Sequence, residues 1–237
     1  MYLQSIDSDY LWDKPDRLDL SGCTELIELV IKEVSMKHMP ILPKSIRRCC
    51  IDQKGSYTRI TGGLNMIKWS DYSELRYLRI SHTNMAGTVP KAISEAAALR
   101  YIDLSHNKLR GSIPQTVSRL SRLQLLNLSY NYLRGRVQIS SDTLEHLALD
   151  GNQFTAVDVP AIVTVQCPQV RHISLANSIR STSLSELSVP MLSLYLDKKT
   201  RVKYNDRLNV RSTVLKGDTA VFMHDCTDNT VHTFIEW

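Results

Sequence analysis

Three stretches of the chain repeat one another at a fixed interval. LRYLRISHTNMAGTVP begins at Leu75, LRYIDLSHNKLRGSIP at Leu99 and LQLLNLSYNYLRGRVQ at Leu123, two steps of 24 residues. LEHLALDGNQF follows at Leu144, after 21 residues, and weaker copies begin at Leu26, Ile46, Val170 and Met191. One unit of this length cannot bury its own apolar side chains, so neighbouring units must stack to do it. The spacing inside the unit says how. Ile102 and Leu104, like Leu126 and Leu128, lie two apart and share one face of a short strand, while Asp103 and Asn127 face the other way. Stacked strands form one parallel sheet on a concave face. Gly87, Pro90, Gly111 and Pro114 then interrupt any helix, so the convex returns are extended or make short helical or 3-10 turns, as in KAISEAAALR and QTVSRLSRLQ.

These repeats resemble the leucine-rich repeat superfamily, with Leu-x-x-Leu-x-Leu-x-x-Asn-x-Leu recurring over roughly residues 26–201. The elements Gly87-Thr-Val-Pro90 and Gly111-Ser-Ile-Pro114 are similar to the 24-residue subtype common in plant receptors and also seen in protist proteins. The expected fold is an α/β solenoid: a curved array with a concave parallel β-sheet. Residues 1–25 are expected to form an N-terminal cap, with a degenerate first strand at Leu18. About eight repeats fill 26–201, with an irregular excursion at 54–74. Residues 202–237 form a C-terminal cap or tail with short strands. Strands are expected at 29–31, 49–51, 77–80, 101–104, 125–128, 146–149, 172–175 and 193–196. Asn107, Asn131 and Asn152 follow their strands at a turn, where an amide can donate to carbonyls and accept from N–H groups. Stacked copies would make an asparagine ladder. Thr83 and Ser178 hold the same position in two other copies.

Composition narrows the function. Of 237 residues, 43% are hydrophobic and 22% charged, a globular balance, and 30 leucines against 3 phenylalanines fit a repeat architecture. No apolar stretch approaches the roughly 18 residues of a membrane span. Five aspartates in the first 25 residues leave no apolar run for a secretion signal. The five cysteines are odd in number and contain no CxxC pair, which indicates neither a disulfide framework nor a zinc site. Free, mostly buried thiols in a reducing, intracellular compartment are expected. No glycine loop could cradle a phosphate. His224, Asp225 and Cys226 are consecutive, and adjacent residues rarely converge on one substrate. His82 and His106 should lie one strand apart, but two ligands hold a metal poorly. No enzyme activity, cofactor or metal is expected.

The repeat register names the side chains of the concave face. Tyr77, Arg79, His82, Tyr101, Asp103, His106, Asn127 and Tyr130 cluster at its centre, and exposed Tyr and Arg there have the composition of a binding hot spot. The first expectation is a non-enzymatic protein–protein interaction module, or a scaffold subunit of a larger assembly. A second reading is an RNA-contacting subunit of a ribonucleoprotein. It would use the arginine edge Arg47, Arg76 and Arg100 together with Lys198, Lys199 and Arg201. The last three open the basic block 198–216, net +6, ahead of an acidic 217–237, net −4. A third reading is the ligand-recognition part of a receptor or secreted effector.

Overall fold

A computed structural model describes residues 2–4, 17–34, 36–54, 60, 63–158, 161–162 and 166–178. It also describes five three-residue strands, 181–183, 193–195, 201–203, 222–224 and 231–233. The apolar alternation folds as a parallel sheet. Its strands are Glu28–Lys32, Arg48–Asp52, Tyr77–Ser81, Tyr101–Asp103, Leu125–Asn127, His146–Ala148, His172–Ser174 and Ser193–Tyr195, paired in that order. All eight lie where the repeat period puts them. The register follows too: Glu28, Arg48, Tyr77, Tyr101, Leu125, His146, His172 and Ser193 form one continuous row.

A ninth strand, Tyr2–Gln4, extends the sheet by pairing with Val30, Ile31 and Lys32. The expected first strand at Leu18 is therefore misplaced. Leu18 and Leu20 instead hydrogen-bond with Ile41, and Asp19 forms an isolated parallel bridge to the same residue. Three residues of strand carry too little pattern to be seen in sequence, whereas LDLSGC imitates the repeat.

From Glu28–Lys32 to His172–Ser174, the inward row of each strand enters one core. Leu78, Ile80, Ile102, Leu104, Leu126 and Leu128 are all at most 1% exposed. Each such side chain stabilises the fold by about 1.5–3 kcal/mol through burial. The excursion at 54–74 supplies Leu64, which opens a 3-10 turn (Leu64–Met66), and Trp69, which opens another (Trp69–Asp71). Trp69 is fully buried and donates its indole N–H to the Leu64 carbonyl at 3.1 Å. The returns Lys91–Glu95 and Gln115–Arg119 are 3-10 turns that start after Pro90 and Pro114. Between sheet and return lies a second parallel sheet, Ala86–Thr88, Lys108–Gly111, Tyr132–Arg136 and Gln153–Ala156. Sequence reading allows extended returns there but does not foresee that they pair. Near the C-terminus, Phe222–His224 pairs antiparallel with Val231–Thr233.

The asparagines join one unit to the last. Asn107 Oδ1 accepts from Thr83 Oγ1 (2.8 Å) and from the Thr83 and Met85 N–H groups. Its Nδ2 donates to the carbonyls of Ile80, Leu104 and Ser105. Asn131 accepts from Leu109 and donates to Leu104, Leu128 and Ser129. Asn152 accepts from Leu133 and donates to Leu128, Leu149 and Asp150. At the next position Ser178 donates to the Leu149 and Ala176 carbonyls. Asn107→Leu and Asn131→Leu should each lower stability by about 1–3 kcal/mol, since buried backbone groups lose their partners. Gln153→Ala, at an exposed site, should cost under about 0.5 kcal/mol. Equal denaturation midpoints for the two kinds of variant would contradict the ladder.

Candidate binding face

Three columns of side chains cross the concave sheet. In the first, Arg48 Nε lies 3.2 Å from Glu28 Oε1, and the Arg48 guanidinium sits 4.5 Å from the Tyr77 ring centre. Tyr77 in turn packs on Tyr101, ring centres 5.9 Å apart and tilted by 40°. Ion pair, cation–π contact and ring contact thus follow one another over four strands. Val30, Cys50 and Tyr77 form a small buried cluster on this face, with Tyr101 against it.

The second column holds the charges. Arg79 Nη2 lies 2.8 Å from Asp52 Oδ2, and Arg79 Nε 3.5 Å from Asp103 Oδ2. Arg79 also donates to Ser81 Oγ at 2.9 Å. Asp52 Oδ1 stands 3.1 Å from His82 Nδ1. Burial would raise the Asp52 pKa, but the His82 contact and the Arg79 charge outweigh it and hold the carboxyl below its ordinary value. Asp103 and Asn127 turn their Oδ1 atoms onto the N–H groups of Ser105 and Ser129, two residues on, which closes the end of each strand. Ahead of them in chain order, Asp52 does the same for Lys54.

The third column sits just past the strands. His82, His106, Tyr130 and Asn177, with Glu33 and Gly151, all adopt left-handed backbone, φ between 54° and 60°. The turn itself demands this conformation, so the strain belongs to the architecture; the choice of rings does not. His82 and His106 stack with ring centres 4.2 Å apart and an 11° tilt, and His106 and Tyr130 stack at 4.4 Å and 15°. Tyr130 then lies over Gly151, where a Cβ would fall 2.7 Å from the ring. A further pair, His146 and His172, stacks at 4.6 Å in the first column.

Several expected contact residues are less open than the register implies. Tyr77 (6% exposed), Asp103 (5%) and Asn127 (7%) are buried, and their polar groups are engaged within the chain. They correct the expectation of exposed side chains. Alternation places a side chain on the concave face, but a narrow face lets neighbours cover it. Burial pushes the Tyr77 hydroxyl up to about 12, with Arg79 pulling the other way. His106 is exposed, while His82, Arg79, Tyr101 and Tyr130 are partly so. On the arginine edge, Arg47 is ion-paired with Glu74 at 2.8 Å, and Arg76 and Arg100 are exposed. Lys198 and Lys199 lie outside the described residues, and Arg201 opens the strand Arg201–Lys203. His224 ends a strand, and Asp225 and Cys226 lie outside the described residues.

Cysteine chemistry departs from expectation at one place. Cys23, Cys49 and Cys167 are free, and burial drives Cys49 up to about 12 and Cys167 to about 11. Cys50 is disulfide-bonded, so the expectation of free thiols does not hold for it. Among the described residues, no group of three or more His, Cys, Asp or Glu side chains could hold a metal ion, and no helix is long and apolar enough to cross a membrane.

Burial, then the neighbouring His82, lowers the His106 pKa to about 4; burial and His146 do the same for His172. Both folded values lie below the roughly 6.5 of a free imidazole. The fold therefore favours neutral rings. This contribution is complete above about pH 6.5 and is lost as pH falls towards 4. An NMR titration should find both imidazoles changing near pH 4, and midpoints near 6.5 would contradict the stacking. Gly151→Ala should lower the melting temperature, because the Tyr130 ring that must yield is held by His106. An unchanged melting temperature would show that the ring column is loose.

Residues 73–133 match a family model described as Leucine rich repeat. Among solved structures, a TDR receptor aligns with 22% identity and a TM-score of 0.62, over 78% of this chain and 32% of its own. The Arabidopsis receptor kinase HAESA ectodomain, in complex with an IDA peptide hormone ligand, aligns with 21% identity and a TM-score of 0.58, over 80% and 32%. A leucine-rich repeat protein of Leptospira interrogans gives 20% identity and a TM-score of 0.59, over 78% and 46%. At such identities the likeness is one of fold, and the chain spans about a third of the length of the two receptor structures. No curated protein matches the sequence.

Proposed function

We propose that this chain, a leucine-rich-repeat protein, is a non-enzymatic interaction module that binds a protein partner through its concave sheet. The observation that carries the reading is the stacked column His82, His106 and Tyr130. Its rings stack face to face across three repeats, so their edges form a continuous ridge along one end of the strands, stiffened by left-handed turns and by each other. Rigid aromatic surface loses little rotamer freedom when a partner covers it. Tyr101 stands at the other end of the strand, in the first column. Arg79 stands in the column between them with its charge already balanced by Asp52 and Asp103, and so serves more to set the surface than to attract a partner. Tyr77, Asp103 and Asn127 contribute as supports.

Service as a fixed subunit of a larger assembly is the narrower form of this proposal. The likeness to receptor ectodomains, one of them solved with a peptide hormone, favours the ligand-recognition reading for the same face. Free thiols at Cys23, Cys49 and Cys167 support a reducing compartment, and the disulfide at Cys50 opposes it. In domain terms, 26–201 is the binding array and the segments 1–25 and 202–237 close its ends.

The double variant His106→Ala, Tyr130→Ala tests the face. Partner capture from the native source, identified by mass spectrometry, should weaken by about 2 kcal/mol or more, as for hot-spot rings. Melting should shift by only a few degrees, since His106 is exposed and Tyr130 partly so. Full capture by the folded double variant would remove the concave face from the interface.

A further inference from the structure

The second sheet carries a charge pattern that the concave reading leaves unused. Between Asp103 and Asp142 the sequence contains no carboxylate side chain, yet it holds Lys108, Arg110, Arg119, Arg122, Arg134 and Arg136. Four of these six lie on the strands Lys108–Gly111 and Tyr132–Arg136, which pair in parallel with Arg110 opposite Tyr132. Leu109 and Leu133 point into the core at 0% exposure, so alternation turns Lys108, Arg110, Tyr132, Arg134 and Arg136 outwards. Arg110, Arg134 and Arg136 are exposed and Lys108 is half-buried. Among the described residues none of the four makes an ion pair. Tyr132 is 44% exposed, one of three exposed large apolar side chains among the described residues, and the Arg110 guanidinium lies 5.9 Å from its ring centre.

Residues two apart on a strand stand about 7 Å from each other, and strands about 5 Å. Arg110, Tyr132 and Arg134 therefore lie close together, and Lys108 and Arg136 extend the row of like charges to about 20 Å. Mutual repulsion makes such a patch unfavourable for folding alone, and a polyanion relieves it. The ring narrows the choice. An acidic peptide needs only the cations. A single-stranded nucleic acid offers phosphates to the cations and unpaired bases to the ring and to the flat guanidinium groups. We infer that the outer face of the second sheet binds single-stranded nucleic acid, with Lys108, Arg110, Arg134 and Arg136 on phosphates and Tyr132 stacking on a base. This face is separate from the concave ring column and does not rest on its function.

Fluorescence anisotropy of the full chain with a labelled mixed-sequence 20-nucleotide RNA tests the inference. With about four phosphates contacted, raising salt from 50 to 200 mM should weaken binding by about 50-fold. Arg134→Glu with Arg136→Glu should weaken it at least tenfold, as should the gentler Arg134→Gln with Arg136→Gln should the charge-reversed chain not fold. Tyr132→Ala should cost several-fold and leave the salt slope unchanged, because stacking releases no counterions. The His106→Ala, Tyr130→Ala variant should bind RNA as the parent does. Absence of binding, parental binding by the folded Arg variants, or an unaltered affinity in Tyr132→Ala would overturn the inference. Displacement of the RNA by polyglutamate at equal charge would overturn it as well, and would assign the patch to an acidic protein.

Discussion

Each ladder asparagine is shared between two repeats. Its carbonyl oxygen takes N–H groups of the unit before, and its amide spans carbonyls of both units. The turns at these asparagines leave the backbone groups facing inwards, away from water, where an unpaired group is costly. The left-handed residue that precedes each asparagine brings the chain round so that the amide can reach them. The stacked sheet, the ring column and the second sheet all depend on that turn being closed from within. Where asparagine is absent, the structure improvises. Thr83 gives its hydroxyl proton to Asn107 of the following unit, and Ser178 reaches the carbonyls of Leu149 and Ala176 with one oxygen.

The concave face is more self-contained than a list of its residues implies. Arg79 bridges two carboxylates on neighbouring strands, and Asp103 and Asn127 each satisfy a backbone N–H two residues on. Partly buried charges persist when paired and hydrogen-bonded, so this row is best understood as a fastening across Arg48–Asp52, Tyr77–Ser81 and Tyr101–Asp103. His106, in the ring column at the strand ends, stays exposed. Asp150 marks the other limit. It takes the place that Ser105 and Ser129 hold in their repeats. There its carboxylate accepts from Ser129, Ser174 and the Ala176 N–H. Burial nevertheless raises its pKa, against those hydrogen bonds.

Position along the sheet was legible in sequence because the period is a property of backbone stacking. Aligning the copies set Glu28, Arg48, Tyr77 and Tyr101 in one row, and the strands pair in that register. Depth was not legible. Whether Tyr77 is open depends on Arg48 and Tyr101, side chains on other strands whose rotamers no pattern encodes. The ring stacking was half legible: the column of His82, His106 and Tyr130 could be read, but not the left-handed turns from which the rings stack on one another. The second sheet was missed because Lys108–Gly111 and Tyr132–Arg136 are short and arginine-rich, and their pairing follows from stacking rather than from strand propensity.

The hydrogen bonds that join repeats all span similar stretches of chain. Those of the ladder connect residues 19 to 29 apart, and none reaches across the molecule. Set against 237 residues, such separations give a relative contact order near 0.1, in the range of small helical bundles and well below that of most all-β folds. Closing each new loop of this size costs little more than closing the one before. The chain can therefore zip outwards from Asn107, Asn131 and Asn152, where the amides are most complete, adding one repeat at a time. Opening should run in reverse, so amide exchange would be slowest in the middle strands and rise towards both ends.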